Sequence, residues 1–227
     1  MPNKSFTALH TALRCSARTQ LFHVIFFTPR VAKELAKKHT RIASGFSSYA
    51  RSTYPAASTR ATLSQDAGKI DCAVIGVHEE DFSREMLWSV KLLRLHLVDP
   101  WEYLNEKEYE KVWYGGRAAR RQVTMDSRFR SVESRFSEQI WRQQIVLHRY
   151  CSADAASDFT DGYFDWIYID GNHLYEYVKA DLEMYYPKVK LRRYIAGHDY
   201  GVKGWWSKGV QRAVNELCVS HLVCHSK

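Results

Sequence analysis

Two carboxylates and two imidazoles that could bind a metal or move a proton lie close together late in the chain. Asp170 directly follows a run of apolar residues, and His173 stands three residues further on. His198 and Asp199 follow a second apolar run after a single glycine. Two carboxylates with one imidazole can hold a divalent cation, and a bound cation lowers the pKa of a substrate hydroxyl. A second imidazole, with its pKa near neutrality, could take up the proton.

The segment between these residues predicts the elements that bring them together. Trp166–Ile169 and Tyr194–Ala196 are predicted as buried strands, and Tyr175–Tyr186 as an amphipathic helix that ends at Pro187. Two strands joined by one helix form a right-handed unit, so both strand ends emerge at one edge of the sheet, where ligands bind in open α/β folds. We therefore predict the metal ligands Asp170, His198 and Asp199, with His173 as the catalytic base.

The same residues also have a purely structural interpretation. Asp170 could cap the helix that follows it, and His198 could pair with Asp199 or with a backbone carbonyl. Clusters of this kind occur in structural ion-pair networks as well as in active sites. The residues alone leave both interpretations open.

A second pair of residues, further towards the N-terminus, predicts a binding site for an adenosine-containing ligand. Gly76 lies near the end of the predicted strand Ile70–Val77, and Ser83 lies at the start of the next predicted helix, whose free N–H groups can bind a ligand. Asp99 ends the predicted strand Leu93–Val98, about twenty residues on, where α/β folds reach ribose hydroxyls. The alternatives are a glycine required by close packing and a carboxylate that caps a helix.

The alternation of apolar and amphipathic segments predicts an α/β fold with a doubly wound, mostly parallel sheet. An arginine-rich stretch at residues 117–135 is interleaved with acids and is predicted to be a solvated face; a phosphate-bearing acceptor is the alternative. The other predicted elements are helices at Phe82–Leu92, Glu102–Trp113, Ser152–Phe159 and Ser207–Leu217, and strands at Ile145–Leu147 and Cys218–Cys224.

The first 67 residues are predicted to be a basic extension, and residues 68–227 the folded domain. Of the net charge of +8, residues 1–65 contribute ten Lys or Arg and a single acid, Glu34, so the remainder is nearly neutral. A neutral body lacks the electrostatic footprint of a nucleic-acid-binding protein. The extension is either a targeting segment or a helical cap on the domain.

Scattered cysteines and short apolar runs bear on where the protein is found. Five cysteines, an odd number, favour reduced thiols over a disulfide framework. The apolar run at Leu21–Phe27 is far too short to span a membrane. We expect a cytoplasmic protein, or an organellar one if the basic, acid-poor N-terminus is a targeting segment.

Six sequence blocks, in order along the chain from Cys72 to Leu217, resemble the class I S-adenosylmethionine-dependent methyltransferases, specifically the macrocin-O-methyltransferase-like and cephalosporin-hydroxylase-like branch. The blocks are IGVHEEDFSREML, LHLVDPWE, SADAASDF, FDWIYIDGNHLYEYVKADLEMYYPKVK, IAGHDY and GVQRAVNEL. The resemblance implies a Rossmann-like methyltransferase fold and S-adenosylmethionine as cofactor.

The resemblance also implies roles for individual residues. Gly76 would lie in the first cofactor loop, Asp99 would bind the ribose hydroxyls, and Ser152 with its neighbours would flank the adenine. Members with a metal, here Mg²⁺, hold it at positions matching Asp170 and His198-Asp199, where it binds the hydroxyls of a sugar or similar acceptor. The expected activity is O-methylation of such a small molecule, with Trp205-Trp206 either contacting the acceptor or packing in the fold.

The sequence departs from this family's pattern at particular positions. Val74 and Asn172 replace acids, Glu80 replaces a glycine, and Arg192-Arg193 replaces a Gly-Gly turn before the last strand. The chain after Asp199 also leaves room for an incomplete C-terminal strand pair. These departures motivate a second hypothesis, a catalytically impaired methyltransferase-like protein that acts by binding or interaction. A homo-oligomer is compatible with either hypothesis.

Overall fold

The computed structural model describes residues 23–26, 70–78, 83–84, 87, 92–105, 121–201 and 204–223. Six strands and five helices lie in these ranges. The strands are β1 (His23–Phe26), β2 (Ile70–Ile75), β3 (Leu92–Val98), β4 (Ile145–His148), β5 (Phe164–Ile169) and β6 (Val189–Gly197). The helices are α1 (Gln122–Arg135), α2 (Ser137–Trp141), α3 (Ser152–Ala156), α4 (Tyr175–Tyr185) and α5 (Gly209–Val223), with a 3₁₀ turn at Tyr186–Lys188.

The six strands form one sheet in the order β1-β6-β5-β2-β3-β4, and every neighbouring pair is parallel. Strand order reverses between β2 and β5, which are neighbours in the sheet but far apart in the chain. Ligands bind in α/β sheets at this kind of reversal, outside the carboxyl ends of the strands. The predicted α/β, doubly wound parallel sheet is confirmed.

Both faces of the sheet are covered, so its strands are apolar on both sides. One face, which includes Ala73 and Ile167, packs with buried residues of α3, α4 and α5. The other face, which includes Val74 and Leu97, packs with Met125 and other buried residues of α1. Successive residues of one strand, such as Ala73 and Val74, therefore belong to different cores.

The predicted strand at Cys218–Cys224 is wrong, because α5 continues to Val223. Val210, Ala213, Val214 and Leu217 are all buried and follow helical spacing, so they form the face that packs against the sheet. Cys218 packs beside them. A short apolar run cannot be distinguished by periodicity alone from the last turns of a buried helix. Within the described residues, no strand of the sheet follows β6.

The expected turn at Arg192-Arg193 is replaced by an irregularity within a continuous strand. β6 runs through both residues, and its pairing with β5 shifts register between Phe164 and Trp166. The buried carboxylate of Asp165 stabilises this shift, since it lies 3.0 Å from Nε of Arg193 and 2.7 Å from Nζ of Lys190. The chain therefore has an ion pair between Arg193 and Asp165 at the position where the sequence predicted a turn.

Three elements were not predicted: β1, α1 and the short helix α2. β1 pairs with β6 and lies within the predicted N-terminal extension. The arginine-rich stretch contains α1, whose stripe of Met125, Phe129 and Val132 faces the core. Their spacing of four and three residues is the helical signal that the abundance of charge obscured.

Other predicted elements are only partly described. Ser83, Arg84 and Leu87 are helical, and the rest of the predicted helix Phe82–Leu92 up to residue 91 lies outside the described residues. Residues 102–105 are not helical, and the remainder of the predicted helix Glu102–Trp113 also lies outside them. In the part of the chain that the structure describes, no helix is both long and apolar enough to cross a membrane.

Candidate functional site

A row of backbone hydrogen bonds lines up the predicted site residues along the carboxyl edge of the sheet. The amide of Asp170 donates to Ile75 at 2.8 Å, and the amide of Gly76 donates to Val98 at 2.9 Å. The amide of Asp99 donates to His148 at 3.1 Å, which continues the row to β4. In each bond, the residue that follows one strand donates to a residue of the neighbouring strand. The predicted metal ligands and the predicted cofactor-binding residues are therefore adjacent at this edge.

Asp170, His173, His198 and Asp199 form one cluster beyond β5 and β6, here called the strand-end cluster. Nε2 of His173 lies 3.3 Å from Oδ1 of Asp170 and 3.1 Å from Oδ2 of Asp199. Nδ1 of His198 lies 3.1 Å from Oδ1 of Asp199. Asp199 adopts a left-handed backbone conformation, with φ of 59°, which turns the chain immediately after the strand. The prediction that these four residues meet is confirmed.

Asp199 bridges the two imidazoles and shapes the charge of the cluster. Burial opposes protonation of His173, but hydrogen bonds to Asp170 and Asp199 outweigh it and raise the pKa of His173 to about 9. Burial opposes protonation of His198 too, but the hydrogen bond to Asp199 and the negative charges of Asp170 and Asp199 together raise its pKa. Burial would raise the pKa of Asp199, but hydrogen bonds from both imidazoles hold it well below its usual value. Without a bound cation, His173 is therefore a proton donor to two carboxylates.

The strand-end cluster has the donor atoms of a metal site. Ligand atoms of Asp170, His173 and His198 all lie within 4.8 Å of one another. Asp199 contacts both imidazoles, and a carboxylate in that place orients metal-ligating histidines. Mg²⁺ prefers oxygen ligands, whereas two imidazoles with one carboxylate suit transition metals. The cluster therefore fits a divalent cation by its chemistry, and its nitrogen content is higher than a magnesium site needs.

Trp206 packs on the cluster, and Trp205 is exposed beside it. The ring of Trp206 lies 4.6 Å from that of His173 at an interplanar angle of 31°. Gly204 makes this packing possible, because a Cβ there would lie 2.4 Å from the Trp206 ring. Trp205 meets Trp206 edge to face and is 40% exposed. Trp206 thus restrains His173, while Trp205 lies partly exposed at the surface beside it.

Gly76 brings the loop after β2 into direct contact with the strand-end cluster. It has φ of 88°, and a Cβ there would lie 2.2 Å from the carbonyl oxygen of Asp170 and 2.7 Å from Cα of Gly171. A side chain at this position is therefore excluded both by the backbone conformation and by the contact. The close-packing interpretation of Gly76 accounts for the glycine without a ligand.

Asp99 holds the same loop through its carboxylate, which is 1% exposed. Oδ2 accepts hydrogen bonds from the amides of Val77 at 2.8 Å and His78 at 3.1 Å, and Oδ1 accepts one from the amide of Trp101 at 2.8 Å. Sequence reasoning placed Asp99 at this edge and proposed a ribose ligand or a helix cap. The structure shows it ordering the backbone of two adjacent loops.

Ser83 follows β2 in the chain, and Ser152 begins α3 after β4. Oγ of Ser152 donates to Oδ1 of Asp181 at 2.5 Å, and the hydroxyl of Tyr185 donates to the carbonyl of Ser152 at 2.9 Å. Ser83 is 1% exposed, and its hydroxyl has no hydrogen-bond partner among the described residues. Buried hydroxyls are normally bonded, so Ser83 retains a donor for a further group.

Asp181 was missed by the sequence reasoning. Burial raises its pKa to about 6, although the hydrogen bond from Ser152 lowers it. It stands between Val178 and Leu182 on α4, in the face of the helix that packs in the core. A carboxylate among these apolar positions was the available signal.

A family model described as a methyltransferase domain matches residues 83–200, more than half of the chain. The uncharacterised protein y4gI of Sinorhizobium fredii is 33% identical over 69 residues, which cover 27% of this chain and 8% of that protein. The chain therefore matches only a small part of this curated relative.

Two solved structures illustrate the structural likeness. Spermidine synthase from Thermotoga maritima is 12% identical with a TM-score of 0.43, and the match covers 66% of this chain and 45% of that one. An O-methyltransferase from Bacillus cereus, solved in complex with SAH, is 12% identical with a TM-score of 0.45, and the match covers 82% of this chain and 79% of that one.

Proposed function

Since this chain belongs to the methyltransferase-domain family, as the resemblance to class I enzymes predicted, we propose that it transfers the methyl group of S-adenosylmethionine to a hydroxyl of a sugar or other small molecule. The observation that carries the proposal is the contact between Gly76 and the backbone of Asp170. It joins the loop expected to hold the cofactor to a cluster of carboxylates and imidazoles that suits an acceptor hydroxyl. Both lie at the reversal of strand order, where α/β sheets bind ligands.

The cofactor occupies the loops after β2, β3 and β4 in this proposal. Gly76 and Asp99 order the first two loops, Ser152 begins the helix after β4, and the unpaired hydroxyl of Ser83 binds a polar group of the cofactor. Binding there leaves the methyl-bearing sulfur to face the strand-end cluster. The acceptor enters from the exposed side, next to Trp205.

Methyl transfer is an in-line displacement at the methyl carbon. The acceptor oxygen forms a bond to this carbon as the carbon–sulfur bond breaks, the sulfonium becomes a neutral thioether, and the hydroxyl proton leaves. The protein mainly holds the two reactants in line, since a sulfonium is already a good leaving group. Asp170 is partly exposed and can orient the hydroxyl, and His173 takes its proton once it has given up its own.

The proposal includes a divalent cation held by Asp170, His198 and Asp199, with Mg²⁺ as the first candidate. When bound, such an ion supplies positive charge that orients a hydroxyl and lowers its pKa. The support is that ligand atoms of Asp170 and His198 lie within 4.8 Å of one another, and the imidazole of His198 makes Mn²⁺ or Zn²⁺ equally important to test.

The decisive experiment is calorimetric titration with S-adenosylmethionine, followed by methyl transfer to a panel of glycosides. Each acceptor is assayed with Mg²⁺, with Mn²⁺, with Zn²⁺ and with EDTA. We expect binding of the cofactor and methylation of at least one glycoside. If the cofactor does not bind, the proposed enzyme function is wrong. If the rate of methylation is the same with EDTA as with a metal ion, no divalent cation takes part in the reaction, and the rest of the proposal is unaffected.

A second candidate function is binding without catalysis. Asn172, which replaces an acid, accepts a hydrogen bond from the amide of Leu174 at 3.0 Å, and His173 is held as a proton donor rather than a base. Both observations favour a protein that binds the cofactor at this site but does not catalyse methyl transfer. Cofactor binding in calorimetry, with no turnover on any acceptor, would support this candidate.

The partners and location of the protein are also proposals. A small-molecule acceptor is favoured over nucleic acid because the chain after residue 65 is nearly neutral. A cytoplasmic location is favoured, with an organelle as the alternative, and fractionation of cells that express the tagged full chain separates the two. Light scattering of the purified protein tests whether it is a homo-oligomer.

A further inference from the structure

A chain of hydrogen bonds runs through the interior from β3 to the surface beyond β4, and nothing in the proposed reaction uses it. The guanidinium of Arg94 donates to the hydroxyl of Tyr163 at 3.3 Å, and this hydroxyl lies 3.1 Å from Nε2 of His96. Nδ1 of His96 lies 2.9 Å from Nε2 of His148. We call this set the imidazole chain; its members are Arg94, Tyr163, His96, His148, Tyr150 and Asp158.

The far end of the imidazole chain fixes the direction of its hydrogen bonds. Nδ1 of His148 lies 2.9 Å from the hydroxyl of Tyr150, which itself bonds to Oδ2 of Asp158. A carboxylate only accepts, so Tyr150 gives its one proton to Asp158 and must accept from Nδ1–H of His148.

The same reasoning continues to the other end. Since His148 donates from Nδ1, its neutral ring accepts at Nε2, and His96 must donate there from Nδ1. Nε2 of His96 then accepts the proton of Tyr163, whose oxygen accepts from Arg94, a group that can only donate. With both rings neutral, one tautomer of each histidine, with hydrogen on Nδ1, satisfies every bond.

The surroundings keep both imidazoles neutral. His96 is 5% exposed and His148 is 7% exposed. Phe159 lies against both rings, at 4.9 Å and 5.3 Å between ring centroids. Burial, with the neighbouring His148 and Arg94, lowers the pKa of His96 to about 3, and burial lowers the pKa of His148 as well.

The imidazole chain ends at the loop that is expected to flank the cofactor. Tyr150 lies between the end of β4 and the start of α3, where Ser152 is fixed from α4 by Asp181 and Tyr185. The loop is therefore held at Tyr150 from one side and at Ser152 from the other.

We propose that the imidazole chain positions the loop of residues 150–152 against the adenosine part of the cofactor, so that its members are positioning residues for cofactor binding. This inference rests on the proposed function, because it takes the cofactor to be S-adenosylmethionine. The hydrogen-bond direction does not rest on it and can be measured separately.

The direction is tested by NMR of the full chain labelled with ¹⁵N-histidine. We expect the rings of His96 and His148 each to carry hydrogen on Nδ1 and none on Nε2 at neutral pH. The variants His96→Phe and His148→Phe identify the two sets of signals. Hydrogen on Nε2 of either ring, or a doubly protonated ring, would overturn the direction and with it the proposal.

The positioning role is tested with Tyr150→Phe, which removes only the hydroxyl that connects the imidazole chain to the loop. The change removes the hydrogen bonds of this hydroxyl to His148 and to Asp158, and it should raise the Kd for S-adenosylmethionine about three- to tenfold. The KM for the acceptor and kcat at saturating cofactor should not change. Tyr177→Phe is the matched control, because Tyr177 is 51% exposed on α4.

Three outcomes separate the hypotheses. An unchanged Kd in Tyr150→Phe, with normal binding by the wild-type protein, overturns the positioning proposal alone. A lower Tm with an unchanged Kd has the same meaning, since the imidazole chain would then only stabilise the fold. If the wild-type protein does not bind the cofactor, the proposed function fails and the cofactor role of the loop fails with it, whatever tautomers are found.

Discussion

Gly76→Ala should destabilise the protein for two reasons, a strained backbone and a close contact, and comparison with a control glycine separates the two costs. At φ of 88° any other residue is strained by about 1–2 kcal/mol, since the left-handed region disfavours a Cβ. The added Cβ would also lie 2.2 Å from the Asp170 carbonyl oxygen, so the backbone of Asp170–Gly171 must move. Overpacking of this kind costs about 1–3 kcal/mol. We expect the free energy of unfolding to fall by about 3 kcal/mol.

Gly162→Ala is the matched control for this prediction. Gly162 has φ of 65°, but no atom lies within 4 Å of the Cβ that would be added. Urea denaturation should therefore show a loss of about 1–2 kcal/mol there, from strain alone. Methyl transfer should fall in Gly76→Ala and not in Gly162→Ala, because only the first displaces Asp170. Equal losses of stability in the two variants would refute the role of the close contact.

Three further predictions concern buried or clustered carboxylates. Burial raises the pKa of Asp181 from 3.8 to about 6, so its ionised form destabilises the fold. The contribution of Asp181 to the free energy of unfolding should therefore fall as pH rises from about 4 to 6. Asp181→Asn should remove this fall, which amounts to about 3 kcal/mol in urea denaturation at pH 7. Asp165→Asn leaves two cations beside a neutral amide and should cost about 3 kcal/mol in the same measurement. Asp199→Asn should reduce methyl transfer at least about tenfold and abolish any dependence on a metal, since both imidazoles lose the Asp199 carboxylate, although His173 keeps its contact with Asp170.

Each of these has an outcome that contradicts it. A stability profile between pH 4 and 7 that is the same in Asp181→Asn as in the wild type would show that the fold does not raise the pKa of Asp181. Glu138→Gln, which breaks an exposed pair with Arg142, is the control for Asp165 and should cost less than about 1 kcal/mol. If the two variants are equally stable, Asp165 does not hold the register of β6. Unchanged metal dependence in Asp199→Asn would place the cation elsewhere.

The strand-end cluster could be predicted from the sequence because its members are local to two strands. Asp170 and Asp199 directly follow apolar runs, and the handedness of a strand–helix–strand unit is nearly invariant. The position of Asp99 at the same edge followed from the same rule. Its hydrogen bonds to Val77 and His78 could not be predicted, because they depend on how a loop from another strand closes.

Other features were missed because long-range contacts overrode local signals. His96 lies in the run LHLV and reads as an interruption of a buried strand, yet its partners His148 and Tyr163 are distant in the sequence. The last turns of α5 read as a strand because their apolar residues are few and adjacent. Arg193 read as a misplaced turn residue until its partner, Asp165, was placed opposite it.

The pairing of β1 with β6 has a consequence for the order in which the protein can fold during synthesis. His23 pairs with Tyr194, so β1, the first of the described strands, can join the sheet only after almost the whole domain has left the ribosome. Contacts between such distant residues form slowly, because a long loop must close first. Until then β1 has no partner, and its free backbone groups are open to chaperones, to proteases or to another copy of the chain.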